Sequence, residues 1–330
     1  MILVTGGTGL VGAHLLLHLI KNGANVRAIY RDEKGIQKTK SLFQHYNKLA
    51  SFDTIEWVQA DIIDIPSLEN AFVGITQVYH CAALISFEPK DENKLRKINI
   101  EGTANIVNFC LSNEVQKLCY VSSIAALGDL AAHETITSEE TEWNPEKYHS
   151  DYAISKYGAE MEIWRGQQEG LKIIIVNPGV ILGTGFEEQG SGQLIKRVGE
   201  GLKFYTYGKT AFVAVDDVVR IMIQLMESAI CNERFIIISD NITFKDLFDT
   251  IADTLKVKRP SIEAKPFLLE LYWRFSWLTH LFSNKPNNVS KNTVRSFLNQ
   301  TTFSNQKIKK TLQTSFLDVH QYIRDNFSVR

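Results

Sequence analysis

Tyr152 and Lys156 are the pair in this sequence best placed to move a proton, because a spacing of four on a helix puts both side chains on one face, a turn apart. A phenol of ordinary pKa, about 10, is a poor acid–base group at neutral pH. A neighbouring ammonium favours the phenolate, so Lys156 is expected to lower the Tyr152 pKa and bring proton transfer into range. The same spacing recurs at Tyr30/Lys34 and Tyr205/Lys209, so context has to choose among them. Tyr30 ends an apolar strand and Tyr205 precedes Gly208, whereas Ser150-Asp151 caps a helix expected to run to about Glu169. Ser123 completes the set. It follows the apolar run Lys117 to Val121, and a hydroxyl at the carboxyl end of a central strand can hydrogen-bond a carbonyl or alcohol oxygen beside the tyrosine. Ser122 then faces the other side of the strand, and a register slip of one would exchange the two serines.

These side chains need a scaffold, and the first dozen residues indicate which. Thr5-Gly6-Gly7-Thr8-Gly9-Leu10-Val11-Gly12 joins an apolar strand, Ile2 to Val4, to an apolar helix, Leu10 to Ile20. Gly7, Gly9 and Gly12 have the G-x-G-x-x-G spacing of a tight turn, a close backbone approach to a pyrophosphate and a close helix–strand contact. The phosphates would meet free N–H groups at a helix N-terminus. Asn25 to Tyr30 reads as the second strand, and the side chains at its tip meet the adenosine ribose in such units. Arg31, with Lys34 and Lys38 behind it, suits the 2′-phosphate of NADP. Asp32 would suit NAD if the register lies a residue or two later.

The pattern continues with a helix over Glu33 to Ala50, a strand over Thr54 to Ala60 ending at Asp61, a short helix opened by Pro66, and a strand over Thr76 to Cys81. Asp61 is placed to contact the adenine amine. The small pair Ala82-Ala83 would let a cofactor pass close to backbone. His80, alone in an apolar strand, reads as a satisfied core residue outside the mechanism. A long helix over Asp91 to Asn113 carries Asn99, and Lys172 to Val176 is a strand leading into Asn177-Pro178-Gly179. The last strand expected is Phe235 to Ser239, with helices alone after Asn241.

Alternating strands and helices predict an α/β fold, a Rossmann-type doubly wound parallel sheet with a smaller, mainly helical C-terminal substrate domain. The expected division is 1–178 plus about 206–239 for the nucleotide, and about 179–205 plus 240–330 for the substrate. Composition agrees with small-molecule chemistry: 330 residues, 44% hydrophobic, with 36 Lys plus Arg against 37 Asp plus Glu. That balance offers no reason for nucleic acid or an anionic membrane as partner. Cys81, Cys110, Cys119 and Cys231 lack metal-site spacing and sit in apolar runs, so no metal is expected. A strand starting at Ile2 leaves no room for a leader, and a cytoplasmic protein is expected.

Together these residues resemble the extended short-chain dehydrogenase/reductases. Thr5-Gly6-x-x-Gly9-x-x-Gly12 is similar to their cofactor loop, with Leu10 where shorter members carry glycine, and Ser123, Tyr152 and Lys156 match their catalytic triad. Asn99 is similar to a helix asparagine of the family's polar network. Pro178-Gly179-Val180 resembles the segment beside the nicotinamide, and Phe212 to Val219 with Asp216-Asp217 a segment of extended members. Val26 to Asp32 and Tyr79 to Ala83 are most similar to dihydroflavonol reductase and 3β-hydroxysteroid dehydrogenase relatives. The resemblance implies a cofactor set of Gly6, Gly7, Thr8, Gly9, Leu10, Val11, Gly12, Arg31, Asp61, Ile62, Ala82, Ala83, Tyr152, Lys156, Pro178 and Val180. It implies a carbonyl reductase or alcohol dehydrogenase using NADP, with NAD as the alternative. A nucleotide-sugar epimerase or dehydratase with retained NAD is the second reading, weakened by Tyr30 where epimerases usually carry an acid. A non-catalytic nucleotide sensor is the third, and the intact triad speaks against it. A homodimer stays open.

Phe267 to Phe282 is the most aromatic stretch. Its sixteen residues, interrupted by Glu270, Arg274 and His280, fall short of the about 20 apolar residues of a spanning helix. A soluble amphipathic helix is expected there, packing on the nucleotide domain or walling a pocket for aromatic or polycyclic carbonyls.

Overall fold

A computed structural model of the chain describes residues 1–265, 267 and 297–328. Seven strands form one parallel sheet: β1 (Ile2–Thr5), β2 (Val26–Tyr30), β3 (Glu56–Gln59), β4 (Gln77–His80), β5 (Lys117–Val121), β6 (Ile173–Pro178) and β10 (Glu233–Ile237). Their order is β10-β6-β5-β4-β1-β2-β3, so the winding reverses between β1 and β4, where open sheets of this kind bind ligands. Strands covered on both faces read as continuous apolar runs, and every residue of β5 and of β6 is buried.

Helices α1 (Leu10–Lys21) and α9 (Val215–Glu227) bury their apolar sides on one face of the sheet, with Leu15, Leu16, Leu19, Val218, Met222 and Phe235 in one core. On the other face α4 (Ile65–Phe72), α6 (Gly102–Ser112) and α7 (Asp151–Gln168) close over Leu68, Ile106, Tyr120, Ile163 and Ile175. Two buried cations cap helix C-termini, where carbonyls lack intrahelical partners. Lys117 Nζ donates to Leu225 O at 2.6 Å and Ser228 O at 3.0 Å, and Arg27 donates to Ala71 O at 3.0 Å and Val73 O at 2.8 Å.

Two expected helices are broken. Asn47 takes a left-handed φ of 54°, which splits Glu33–Ala50 into α2 (Glu33–His45) and α3 (Leu49–Phe52). The Asp91–Asn113 helix starts as a 3₁₀ turn at Pro89–Asp91, continues through α5 (Glu92–Leu95), widens into a π turn at Arg96–Glu101 and resumes as α6.

Helices alone were expected after Asn241, and this is corrected by β11 (Asp240–Thr243) and β12 (Ile262–Glu263). β11 pairs with β9 (Lys209–Ala214), which pairs with β7 (Val180–Leu182), while β12 pairs with β8 (Phe204–Tyr205). Strands of two to six residues leave little alternation to read, and their stability comes from partners distant in sequence, such as Asp240 opposite Phe212. β9, expected with the nucleotide half, faces two cores: Val213 belongs to the main core, and Phe212 and Ala214 to a separate one. That core also holds Leu182 and buried residues of α8 (Gly192–Gly199), α10 (Phe244–Thr254) and α12 (Val319–Phe327). A further short helix, α11 (Gln306–Leu312), returns Ile308 to the main core. Beyond Phe267 itself, the aromatic run to Phe282 lies outside the described residues. Among the described residues no helix is long and apolar enough to cross a membrane.

Candidate active site

The glycine loop shows which glycines the fold itself requires. Gly6 has a φ of 68°, and a Cβ there would meet Ala82 N at 2.7 Å. A Cβ on Gly12 would meet Gly6 O at 2.2 Å, so the third glycine, expected to bring the helix close to the strand, brings it close to the turn after β1, and a Cβ on Gly7 would meet Leu16 Cδ1 at 2.9 Å. Gly9 is different. Its φ is −104° and its nearest would-be neighbour is Gly6 O at 3.5 Å, so no internal contact demands a missing side chain. Gly9 is also the N-cap of α1, with no side-chain cap and no acid in the first turn. Free space over unpartnered N–H groups at a helix start fits a pyrophosphate. Thr8 packs against Gly35, Val11 joins the main core, and the Leu10 side chain fills the space beside Gly183.

At the tip of β2, Arg31, Gln59, Ala60, Asp61, Asp64 and Ser67 line a cavity of about 360 Å³. Asp32 is engaged as the N-cap of α2, accepting from Gly35 N at 2.9 Å, which leaves Arg31 as the residue of the tip that lines this space. Asp61 accepts from Ile63 N at 3.2 Å. Ile62 is buried with its side chain in the core against Gly102, and its carbonyl accepts from Asn105. Ala82 gives its N–H to Thr5 Oγ1 at 3.1 Å and Ala83 is exposed at the same edge. Pro178 ends β6, and Val180, half-buried, opens β7.

The catalytic candidates meet at the end of β5. Ser123 Oγ accepts from Ala125 N at 3.1 Å, and its hydroxyl is near enough to the Tyr152 phenol to hold the phenol pKa down against burial. Ser122 turns the other way and donates to Glu160 Oε1 at 2.5 Å, so the register is the expected one. Glu160 also accepts from Asn177 Nδ2 at 2.5 Å, and Asn177 Nδ2 donates to Ser123 O at 3.0 Å. A buried carboxylate one turn beyond Lys156 thus holds together the ends of the two strands that carry the site. Asn99 sits in the π turn, accepts from Leu84 N at 2.7 Å, and donates to Leu84 O at 3.0 Å and Ser155 Oγ at 2.9 Å. Expected among the catalytic group, it is instead a clamp between the segment after β4 and α7, because both ends of its amide are taken there.

Lys156 departs from expectation as well. Its ammonium donates to Tyr120 Oη at 2.6 Å and Val121 O at 2.8 Å, and burial lowers its pKa to about 7. Burial pushes the Tyr152 phenol up to about 12, against the Ser123 hydroxyl, which acts the other way. Desolvation therefore sets the direction, opposite to the lowering anticipated from Lys156. Beside Tyr152 stands Phe87, its ring edge-on at 5.6 Å between centroids; Phe87 is 43% exposed and Ile85 59%.

Sequence reasoning missed Tyr120, Phe87, Glu160 and Asn177. Glu160 had a legible signal, a charge four residues past Lys156 on one helix face. Tyr120 and Phe87 had none, since their roles come from neighbours distant in sequence. Among the described residues no cluster of three or more His, Cys, Asp or Glu side chains could hold a metal, and the four cysteines are free.

The model of the NAD dependent epimerase/dehydratase family matches residues 2–237. The chain belongs to that family. Proteins similar to it carry different activities in their names. Sterol demethylase protein B of Methylococcus capsulatus is 26% identical over 81% of this chain and 78% of its own length. Anthocyanidin reductase of Arabidopsis thaliana is 28% identical over 74% and 78%. The crystal structure of UDP-glucose 4-epimerase from Thermotoga maritima with UDP-glucose superposes with a TM-score of 0.76 at 22% identity, covering 98% of this chain and 96% of that one, and so shares the fold.

Proposed function

We propose that this epimerase/dehydratase family member is an NADP-dependent carbonyl reductase, acting on a ketone or aldehyde or, in reverse, on the alcohol. The reading rests on Ser123 and Tyr152 coming together at the carboxyl edge of the central strand, where the serine hydroxyl holds the phenol pKa down against burial. A phenol held near 12 is fully protonated at neutral pH, so Tyr152 donates a proton to the carbonyl oxygen during reduction. The Ser123 hydroxyl holds that oxygen, and the Lys156 ammonium, buried against Tyr120 and Val121, provides a fixed donor for the ribose. The nicotinamide supplies the hydride when bound. Gly9 and the start of α1 hold the pyrophosphate, Asp61 the adenine, and Arg31 the 2′-phosphate through a charge-assisted contact. Ala82, Ala83, Pro178 and Val180 flank the nicotinamide end.

Exposed Phe87 beside Tyr152, with exposed Ile85 two residues before it in the chain, supports an apolar, aromatic substrate over a sugar nucleotide. We assign residues 1–178 plus about 206–239 to the nucleotide and about 179–205 plus 240–330 to the substrate, in a cytoplasmic enzyme. The family match keeps epimerisation with retained NAD as the second reading. A panel of aromatic ketones, aliphatic ketones and nucleotide sugars, assayed with NADPH and NADH, separates the two. Net NADPH consumption with aromatic ketones is expected. Interconversion of nucleotide sugars alone, without net loss of nicotinamide, would overturn the reading.

A further inference from the structure

His80 satisfies the expectation of a core residue with both ring nitrogens bonded, yet its partners lead somewhere. Nδ1 lies 2.7 Å from Thr5 Oγ1, and Nε2 lies 3.0 Å from Thr103 Oγ1. Thr103 in turn acts on the buried Tyr120 phenol, holding its pKa down against burial; the His80 ring lies 5.4 Å from the Tyr120 ring between centroids, and Tyr120 Oη accepts from Lys156 at 2.6 Å. All five side chains are at most 1% exposed. A continuous buried chain therefore runs from the last residue of β1, next to Gly6, across β4, α6 and β5 to the lysine of α7. Thr5 Oγ1 also accepts from the Ala82 N–H, so one hydroxyl touches both the imidazole and the segment after β4, while the neutral ring donates from one nitrogen and accepts at the other.

We propose that His80 is a positioning residue for Lys156, acting through Thr103 and Tyr120, and that Thr5 ties the same chain to the glycine loop. The proposal rests on Lys156 being the lysine that holds the cofactor ribose. Linked hydrogen bonds in a dry interior polarise one another, and an unmade bond there is costly, so such a chain holds its last member in one geometry. It also makes the loop that faces the phosphates and the lysine that faces the ribose parts of one unit. His80 serves by its lone pair and N–H and not by charge, since burial pushes its pKa down to about 3. The other titratable groups around the ammonium are Glu160 one turn on, Cys81 just past β4 and Tyr152 one turn back; burial keeps the Cys81 thiol protonated.

The test is the pH dependence of NADPH and NADH affinity, read by fluorescence titration on the wild type, Tyr120→Phe, Thr103→Val and Thr103→Ser. Losing one partner of a buried ammonium should move the alkaline midpoint of binding down by about one pH unit in Tyr120→Phe. Thr103→Val, nearly isosteric, should move it the same way by less, and Thr103→Ser should restore it. If Tyr120→Phe does not fold, the valine and serine pair decides. A Thr103→Val protein with the wild-type midpoint would overturn the proposal, as would valine and serine proteins with the same shifted midpoint. Nicotinamide binding with these shifts but no carbonyl reduction by the wild type would leave the chain standing and remove the reading of function.

Discussion

Along the carboxyl edge of the sheet, the tip of β2 and the end of β5 flank the glycine loop and hold their functional side chains in opposite ways. Arg31 and Asp32 are exposed neighbours in sequence, and Asp32 has a local task, capping its own helix. Lys156, Glu160 and Asn177 are buried, and each takes its partners from a different element. An exposed charge can be exchanged with little effect on its surroundings, whereas removing one member of a buried polar network leaves the others unpaired. Cofactor choice is thus separable from the fold at one end, and catalysis is bound to it at the other. The glycine loop contains both behaviours, Gly12 fixed by an internal contact and Gly9 free of one.

The largest expected effect is at the buried end. Tyr152→Phe should lower turnover by about 10²- to 10⁴-fold, the range for a lost proton-transfer group, with cofactor affinity nearly unchanged. Steady-state rates paired with NADPH titration check this, and retention of most activity would remove Tyr152 from the mechanism. Within the loop, Gly12→Ala should destabilise the protein by about 1–3 kcal/mol, since the added Cβ meets Gly6 O at 2.2 Å. Gly9→Ala should leave stability in place and weaken NADPH binding alone. Thermal melts of the two proteins, with and without NADPH, decide whether the contrast holds. Next comes Arg31→Ala, which should cost NADPH roughly 1.5–3 kcal/mol while sparing NADH, with no change in melting temperature. A wild type that prefers NADH would make Asp32 the reader, released from its cap. The smallest effect is at the rim: Phe87→Ala should raise KM for aromatic ketones a few-fold and leave aliphatic ones unchanged, in a comparison of kcat/KM across the substrate series.

The contrast also explains what could be read from the amino-acid sequence. The parallel sheet, the glycine loop and the Tyr152/Lys156 helix are encoded by apolar runs and fixed spacings, and all three are where the sequence puts them. Ser123 and Ser122 face as expected because strand alternation is a local property. The small sheets of β7, β8, β9, β11 and β12 were missed because each strand is short and its partner distant. The lowered Tyr152 pKa was anticipated from spacing, but burial has the larger effect, and burial is a property of the assembled fold. Asn99 was recognised by position, yet its task, clamping Leu84 to α7, depends on a π turn that no residue pattern announced.

The central claim is that this site transfers hydride to a carbonyl carbon. Incubating the purified protein with NADPH deuterated at nicotinamide C4 and an aromatic ketone, then locating the label by mass spectrometry and NMR, tests it most directly. Deuterium on the carbinol carbon of the product alcohol, and none with Tyr152→Phe, is the predicted result. Ketone recovered unreduced and unlabelled, with the deuterium still on the nicotinamide, would contradict it.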